Sequence, residues 1–161
     1  MIIGVDPGKM VGMFIYHTDL RCTIPPPFPS QTPAEQYVNA LDKIIGSRII
    51  RYGVDSVHIA VEKYVITSRT AKLSQQTDAL EITGAVKAIA MLHGVTDVRQ
   101  YAKSNLKFAS DDMLRAVDWY SPKLRHANDA ARQAFALLKD VDYPRWSELV
   151  RDAKMEPTTE G

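Results

Sequence analysis

In the stretch MIIGVDPGKMVGMFIY (residues 1–16), two apolar runs lie on either side of a single acid. The apolar and β-branched residues before Asp6 predict a buried strand, and residues 11–16 predict a second one. Pro7 and Gly8 separate the two strands, because proline cannot donate a hydrogen bond to a sheet ladder. An acid at the tip of a buried strand either caps the local turn or faces a functional site. Patterns elsewhere in the chain are needed to distinguish these two roles of Asp6.

A second acid, Glu62, follows another short apolar run. The remaining patterns predict, in order, strand 20–24, a helix from Thr32 as N-cap to Gly53, strand 57–61, helix 75–92, strand 95–99 and further helices from residue 110 to 138. With the two opening strands, this order predicts five strands in a mixed sheet with helices on its faces. Such sheets place their ligand sites at the carboxyl ends of strands, so Asp6 and Glu62 are expected to meet there.

The composition is that of one globular domain. For a chain of 161 residues we expect a single domain at residues 1–150 and a polar tail at residues 151–161. The 20 basic and 19 acidic residues nearly balance, so net charge neither requires nor excludes a nucleic-acid partner. The single cysteine suits a reducing cytoplasm. No signal peptide is recognisable, and no run approaches the roughly 18 apolar residues of a membrane span. We therefore expect a cytoplasmic protein without a membrane partner.

The segment HANDAARQA (residues 126–134) predicts a helix with a polar face. Its alanines allow close approach to a sheet, and His126 and Asp129 project from the same side because they are three residues apart. This side is either an ordinary solvated surface or the third part of a site with Asp6 and Glu62. Carboxylates gathered from distant segments repel one another unless a cation binds them. Mg²⁺ prefers such oxygen ligands, and two ions can clamp the attacking and leaving oxygens of a phosphodiester.

These segments together resemble a known family. The run IGVDPG (residues 3–8) is similar to the first motif of the RuvC-type Holliday junction resolvases, which belong to the RNase H-like nucleases. Glu62 and its apolar run resemble the second motif, and the small-residue helix after His126 resembles the last. Gly84 matches a glycine that the family has within the intervening helix. The resemblance spans about residues 1–138 and is typical of a phage-encoded or otherwise divergent member.

The resemblance implies an α/β, RNase H-like fold with a five-stranded mixed sheet, helices on both faces, and a homodimer. It implies Mg²⁺ or Mn²⁺ as cofactor, with two ions per active site, and paired nicks in four-way DNA junctions during recombination and repair. In the family, a water molecule activated between the two ions attacks the scissile phosphate and leaves a 5′-phosphate.

Carried over residue by residue, the resemblance implies that Asp6, Glu62 and Asp129 are metal-binding catalytic acids. His126 completes the catalytic and metal-binding set, at a position where the family often has Asp. Imidazole is a poorer ligand than carboxylate for Mg²⁺ but tolerates Mn²⁺. The sequence therefore leaves the choice between the two ions open.

DNA contacts are expected around these acids. The polar loop after Glu62 is either solvated or bound to phosphates, and its position beside an active-site acid favours phosphate contact. The family often has an aromatic residue after its second acid to stack on an unpaired base, and Tyr64 lies one position before the usual place. The lysine-containing loop of the family is shortened in this chain. The expected DNA-binding residues are Lys9, Lys63, Tyr64, Arg69, Lys72, Lys103 and Lys107.

Helix 75–92 is apolar around most of its circumference, which exceeds the single apolar side that a sheet-facing helix needs. The surplus is covered either by the C-terminal segment with Trp146 and Leu149 or by a second copy of this chain. A two-fold pair of helices suits a two-fold DNA junction. The expected dimer-interface residues are Leu80, Val86 and Ile89.

The sequence thus predicts a metal-dependent endonuclease that nicks branched DNA, above all Holliday junctions. Three other functions stay open: an RNase H-like nuclease acting on RNA, a nucleotide-binding lobe of the actin type, and a junction-binding protein without catalytic activity. The actin type needs two such lobes and hence a longer chain. The three retained acids disfavour the inactive protein.

Overall fold

The computed structural model describes residues 1–23, 30–64 and 75–155. Its strands are β1 (Ile2–Asp6), β2 (Met10–His17), β3 (Cys22–Thr23), β4 (Ser30–Pro33), β5 (His58–Glu62) and β6 (Val98–Tyr101). Its α-helices are α1 (Ala34–Tyr52), α2 (Gln75–Leu92), α3 (Asp111–Ala116), α4 (Arg125–Val141) and α5 (Tyr143–Met155). Within these described ranges, no helix has the length and apolar character needed to cross a membrane.

The strands form one mixed sheet in the order β3-β2-β1-β5-β6, with β4 also paired to β2. Strand β2 runs antiparallel to β1, β3 and β4, whereas β5 is parallel to β1 and β6 is parallel to β5. The predicted change from antiparallel to parallel strands is present. The predicted count of five strands is wrong: β1, β2, β5 and β6 form a four-stranded body, and two short strands, β3 and β4, share the free edge of β2.

Some element boundaries differ from those that the sequence predicts. Helix α1 begins at Ala34 with Pro33 in place of Thr32 as N-cap, and α2 has the predicted bounds. Strand β6 lies three residues beyond the predicted start at residue 95, because its register is set by pairing with β5, where Val98 is opposite Ile59. Helix α5 continues through Met155, beyond the point at which a polar tail is predicted to begin.

Helices cover both faces of the sheet. Side chains alternate along each strand, so each strand contributes residues to a core on either face. One face of β1 carries Ile3 and Val5, which lie in a core with residues of α1 and α2. The other face carries Ile2, which lies in a second core with residues of α4. Phe14 and Trp119 stack in this second core with ring centroids 4.6 Å apart. The sheet is therefore a buried central layer.

Two glycines let α4 lie directly on the sheet. Gly4 of β1 faces the backbone oxygen of Ala130, and Gly12 of β2 faces the backbone oxygen of His126. A Cβ atom at either glycine would overlap these helix carbonyls, so a larger residue would push α4 away from the strands. The first turns of α4 are consequently held beside the end of β1, where Asp6 lies.

Candidate functional site at the carboxyl edge of the sheet

Two buried acids lie side by side where β1 and β5 end. Asp6 and Glu62 are the last residues of these parallel neighbours, and Val5 and Val61 just before them are opposite each other. Only 7% of the Asp6 side chain and 17% of the Glu62 side chain are exposed. The apolar strands fix both acids at one edge, as the sequence predicts, and burial makes their charge states depend strongly on their neighbours.

Asp6 and Glu62 are close enough to influence each other's ionisation. Burial raises the pKa of Asp6 above its ordinary value. Burial, together with the hydrogen bond to Asp6, raises the pKa of Glu62 to about 8. Both carboxyl groups therefore hold a proton more readily than an exposed acid does, since two adjacent buried carboxylates do not readily ionise together.

Helix α4 adds two further polar side chains to the site. His126, in its first turn, forms a hydrogen bond with Asp6, with 2.7 Å between Nδ1 and Oδ2. Asp129, one turn later, has 16% of its side chain exposed and lies on the same side of the helix. The structure thus brings together all four side chains for which the sequence predicts a catalytic and metal-binding role.

Lys103 lies among these acids. It belongs to a 3₁₀ turn, Lys103–Leu106, that follows β6. Its Nζ atom is 3.3 Å from both Glu62 Oε2 and Asp129 Oδ2. Burial alone would lower the pKa of Lys103, but the Glu62, Asp129 and Asp6 carboxyl groups outweigh it and raise that pKa. The charged amine thus compensates acids that would otherwise repel one another.

The gathered oxygen ligands fit a hard divalent cation such as Mg²⁺ or Mn²⁺. The Asp6–Glu62 pair supports this fit, because a cation relieves the repulsion between two adjacent carboxylates. In this structure, no three His, Cys, Asp or Glu side chains among the described residues are arranged so that together they could hold one ion. The amine of Lys103, which joins Glu62 to Asp129, must move aside before both can bind the same ion.

The expected DNA-binding residues lie at different distances from the acids. Lys9 and Tyr64 line the same cleft as the acids, which has a volume of about 360 Å³. Lys107 lines a neighbouring depression of about 240 Å³, together with Lys103. Lys63 is exposed just beyond β5. The remaining two, Arg69 and Lys72, lie outside the described residues.

Two of the three expected dimer-interface residues are wrongly assigned. Val86 and Ile89 are only 0% and 6% exposed and pack in the core between α2 and the sheet. Leu80 does face outward, with 48% of its surface exposed. The alternative cover for α2 is also wrong, since Trp146 and Leu149 pack against the core on the α4 side.

Two arginines of the site are missing from the sequence-based prediction. Arg125 lines the cleft beside His126 and is close enough to lower the pKa of Asp6, although burial of Asp6 has the larger effect. Arg132 is paired with Asp129, with 2.5 Å between Nη1 and Oδ1. The spacing of three residues between Asp129 and Arg132 could have revealed this pair, because such residues are neighbours on a helix.

No protein-family model matches the sequence, and no curated protein matches it. Among solved structures, the chain is similar to T. thermophilus RuvC in complex with a Holliday junction substrate. The two chains are 18% identical, with a TM-score of 0.54 over 88% of this chain and 95% of the RuvC chain. The chain therefore has a RuvC-like fold.

Proposed function

We propose that this protein is a metal-dependent endonuclease that nicks branched DNA, with the four-way Holliday junction as its main substrate. The observation that carries the proposal is the convergence of Asp6, Glu62, His126 and Asp129 in one cleft at the edge of the sheet. Carboxylates gathered in this way commonly hold the divalent cations that assist phosphodiester hydrolysis. The RuvC-like fold supports the choice of substrate, because T. thermophilus RuvC was solved with a Holliday junction.

In this proposal, Asp6, Glu62 and Asp129 hold two Mg²⁺ or Mn²⁺ ions, and His126 binds beside Asp6. When bound, the cations neutralise the negative charge that develops on a phosphodiester during hydrolysis. A bound cation would favour the ionised form of Glu62, since nearby positive charge lowers the pKa of a carboxyl group. Lys103 would then be free to leave the acids, and its amine could contact a DNA phosphate.

The DNA backbone follows the basic side chains around the cleft. Lys9 and Lys103 contact phosphates next to the acids, and Lys63 and Lys107 contact phosphates farther along the strand. Arg69 and Lys72 have the same role in this proposal. Tyr64, which lines the cleft, stacks on a base that is unpaired at the junction centre.

A second copy of the chain packs on the outward face of α2 in the proposed assembly. Leu80, Gly84 and Met91 lie on one stripe of this helix, and Leu80 and Met91 are exposed. A Cβ atom added at Gly84 would meet no atom within 4 Å in the isolated chain, so another helix has room to approach closely. A two-fold pair places two sites where a two-fold junction needs paired nicks.

Sedimentation equilibrium at micromolar concentration tests this assembly, and it should give twice the 18.0 kDa mass of the chain. Leu80→Glu should produce a monomer that no longer makes paired nicks. Leu20→Glu is the matched control, because Leu20 is also an exposed leucine but lies in the turn after β2. A wild-type monomer that cuts both strands would contradict the dimer.

A gel assay tests the nuclease itself. Labelled four-way, three-way and linear DNA and an RNA–DNA hybrid are each incubated with Mg²⁺ or Mn²⁺. We expect paired nicks in the four-way junction, and Asp6→Asn serves as the control for contaminating nucleases. Preferential cleavage of the hybrid would instead favour an RNase H-like nuclease acting on RNA. Absence of cleavage on every substrate with both ions would overturn the proposal.

We also propose that the enzyme acts in the cytoplasm, which is that of the host if the protein is phage-encoded. Its single cysteine, Cys22, is free and exposed, and such a thiol suits a reducing compartment. Branched DNA from recombination and replication is the substrate that this compartment supplies.

A further inference from the structure

Arg132 makes three hydrogen bonds that together hold one turn of α4 against a neighbouring loop. Its Nε atom donates to the backbone oxygen of Ala109 at 3.1 Å, and its Nη1 atom donates to Asp129 Oδ1 at 2.5 Å. Its Nη2 atom donates to Asp111 Oδ1, at the start of α3. The guanidinium group thus uses donors on three different nitrogen atoms, in a fixed planar arrangement that a lysine amine cannot reproduce.

The two oxygens of Asp129 are held by different cations. Oδ1 accepts from Arg132, whereas Oδ2 accepts from Lys103, which also contacts Glu62. Oδ2 therefore shares the Lys103 amine with Glu62, whereas Oδ1 is bound by Arg132. The two cations also differ in exposure, since 56% of the Lys103 side chain but only 23% of the Arg132 side chain is accessible.

We propose that Arg132 is a positioning residue that holds Asp129 with Oδ2 directed towards the cleft. Asp111 and the carbonyl of Ala109 hold Arg132 in turn, so α3 and the loop before it help to fix the orientation of Asp129. Lys103 can withdraw on its flexible stem when a cation binds, whereas Arg132 keeps its three partners. Outer partners of this kind hold a ligand in one orientation and so strengthen metal binding. This inference rests on the proposed function, which makes Asp129 a metal ligand.

The chain offers a matched control for this arrangement. The adjacent acid Asp112 pairs with Arg115 at 2.9 Å, again between an arginine and a first-turn acid of α3. Asp112 is 94% exposed, and neither residue of this pair contacts Asp129. Arg115→Lys and Asp112→Asn therefore make the same chemical changes as Arg132→Lys and Asp111→Asn without touching the site.

The experiment measures Mn²⁺ binding to the DNA-free protein by calorimetry and, separately, the Mn²⁺ concentration that gives half-maximal nicking of a four-way junction in single turnover. Arg132→Lys should weaken Mn²⁺ binding about 10-fold and raise the half-maximal concentration by the same factor. The nicking rate at saturating Mn²⁺ should change much less, because the acids themselves are retained. Asp111→Asn should shift both quantities in the same direction, and both control variants should match the wild type.

Thermal unfolding of each variant shows whether it is folded, and Asp111→Asn keeps the inference testable if Arg132→Lys is not. Unchanged Mn²⁺ affinity in folded Arg132→Lys or Asp111→Asn would overturn the inference. An Asp129→Asn variant separates this failure from that of the proposed function. If Asp129→Asn weakens Mn²⁺ binding but Arg132→Lys does not, only the positioning role is lost. If Asp129→Asn also binds Mn²⁺ normally, both the metal site and the positioning role are overturned.

Discussion

His126 is hydrogen-bonded to Asp6, which lies 120 residues earlier in the chain, with 2.7 Å between Nδ1 and Oδ2. The bond joins the first turn of α4 to the end of β1 and places an imidazole beside the most buried acid of the site. Since an imidazole favours Mn²⁺ over Mg²⁺ relative to a carboxylate, His126 is in a position to influence the choice of ion.

Replacing His126 by Asp should therefore shift metal preference towards Mg²⁺. We expect the wild type to nick a four-way junction faster with Mn²⁺ than with Mg²⁺, and His126→Asp to lower this rate ratio about 10-fold. Single-turnover rates at saturating concentrations of each ion measure the ratio. If His126→Ala left both rates unchanged, the residue would have no part in metal use.

Substitution of the three acids should separate cleavage from binding. Asp6→Asn, Glu62→Gln and Asp129→Asn should each lower the nicking rate by about 100-fold or more, because each removes a charged ligand. Gel-shift affinity for the junction should stay measurable, since phosphate contacts carry most of it. Asp112→Asn, at an exposed acid outside the cleft, is the control. Near-normal cleavage by Asp6→Asn would remove this site from consideration.

Tyr64 should matter more for closed junctions than for open ones. Stacking of an aromatic ring on an unpaired base contributes about 1–3 kcal/mol, and Tyr64 lines the cleft that contains the acids. Tyr64→Ala should slow nicking of an intact four-way junction more than nicking of one with unpaired bases at its centre. Tyr143→Ala, at an exposed tyrosine of α5, should affect neither. Equal losses on both substrates would indicate a packing role for Tyr64.

Gly4→Ala should destabilise the fold and disturb the site together. Its new methyl group would overlap the backbone of α4 at Ala130, and overpacking of this kind costs about 1–3 kcal/mol. Gly8→Ala is the control, because a Cβ atom there would lie 3.5 Å from the oxygen of Met10, an ordinary contact. Urea unfolding measures both variants. A Gly4→Ala protein as stable as the wild type would show that α4 does not rest on β1 as closely as described.

Asp97 should give the protein a pH-dependent contribution to stability. Burial would raise the pKa of Asp97, but hydrogen bonds from Arg99 and His58, at 2.7 Å each, outweigh it and hold that pKa below 3.8. Because the folded pKa is the lower one, the stabilisation is present above about pH 4 and is lost as pH falls through the folded value.

Asp97→Asn should accordingly lower the free energy of unfolding by about 1 kcal/mol at pH 7. The difference from the wild type should be smaller at pH 3 than at pH 7, because Asp97 becomes protonated as pH falls through its lowered folded pKa. Urea unfolding at the two pH values tests this, with Asp112→Asn as an exposed control. A difference that stays constant between pH 7 and pH 3 would contradict an ionic origin.

The parts of the site that the sequence predicts are those fixed by local pattern. Asp6 and Glu62 end short apolar runs, and strand pairing alone brings such ends together. His126 and Asp129 share a helix face because of their spacing. Lys103 could not be placed among the acids in this way, since its position depends on a 3₁₀ turn after β6 and on pairing between distant strands.

The errors have equally physical causes. An apolar pattern around most of α2 does not reveal which side meets the sheet, so the buried Ile89 was indistinguishable from the exposed Leu80. The strand count fails because β3 and β4 are short segments defined by backbone pairing with β2 more than by their side chains. Helix α5 follows α4 after a single residue, Asp142, and its apolar residues are partly buried because they pack against the core on the α4 side.

The contact of Gly4 and Gly12 with α4 also bears on which sequence changes this fold can tolerate. Where peptide backbone rests on peptide backbone, the spacing of strand and helix does not depend on the shapes of the side chains in either core. Most core positions can then change in shape while the strand tip and the helix keep their distance. Sequence searches with this chain should therefore weight the two glycines and the alanine-rich helix more heavily than the surrounding apolar residues.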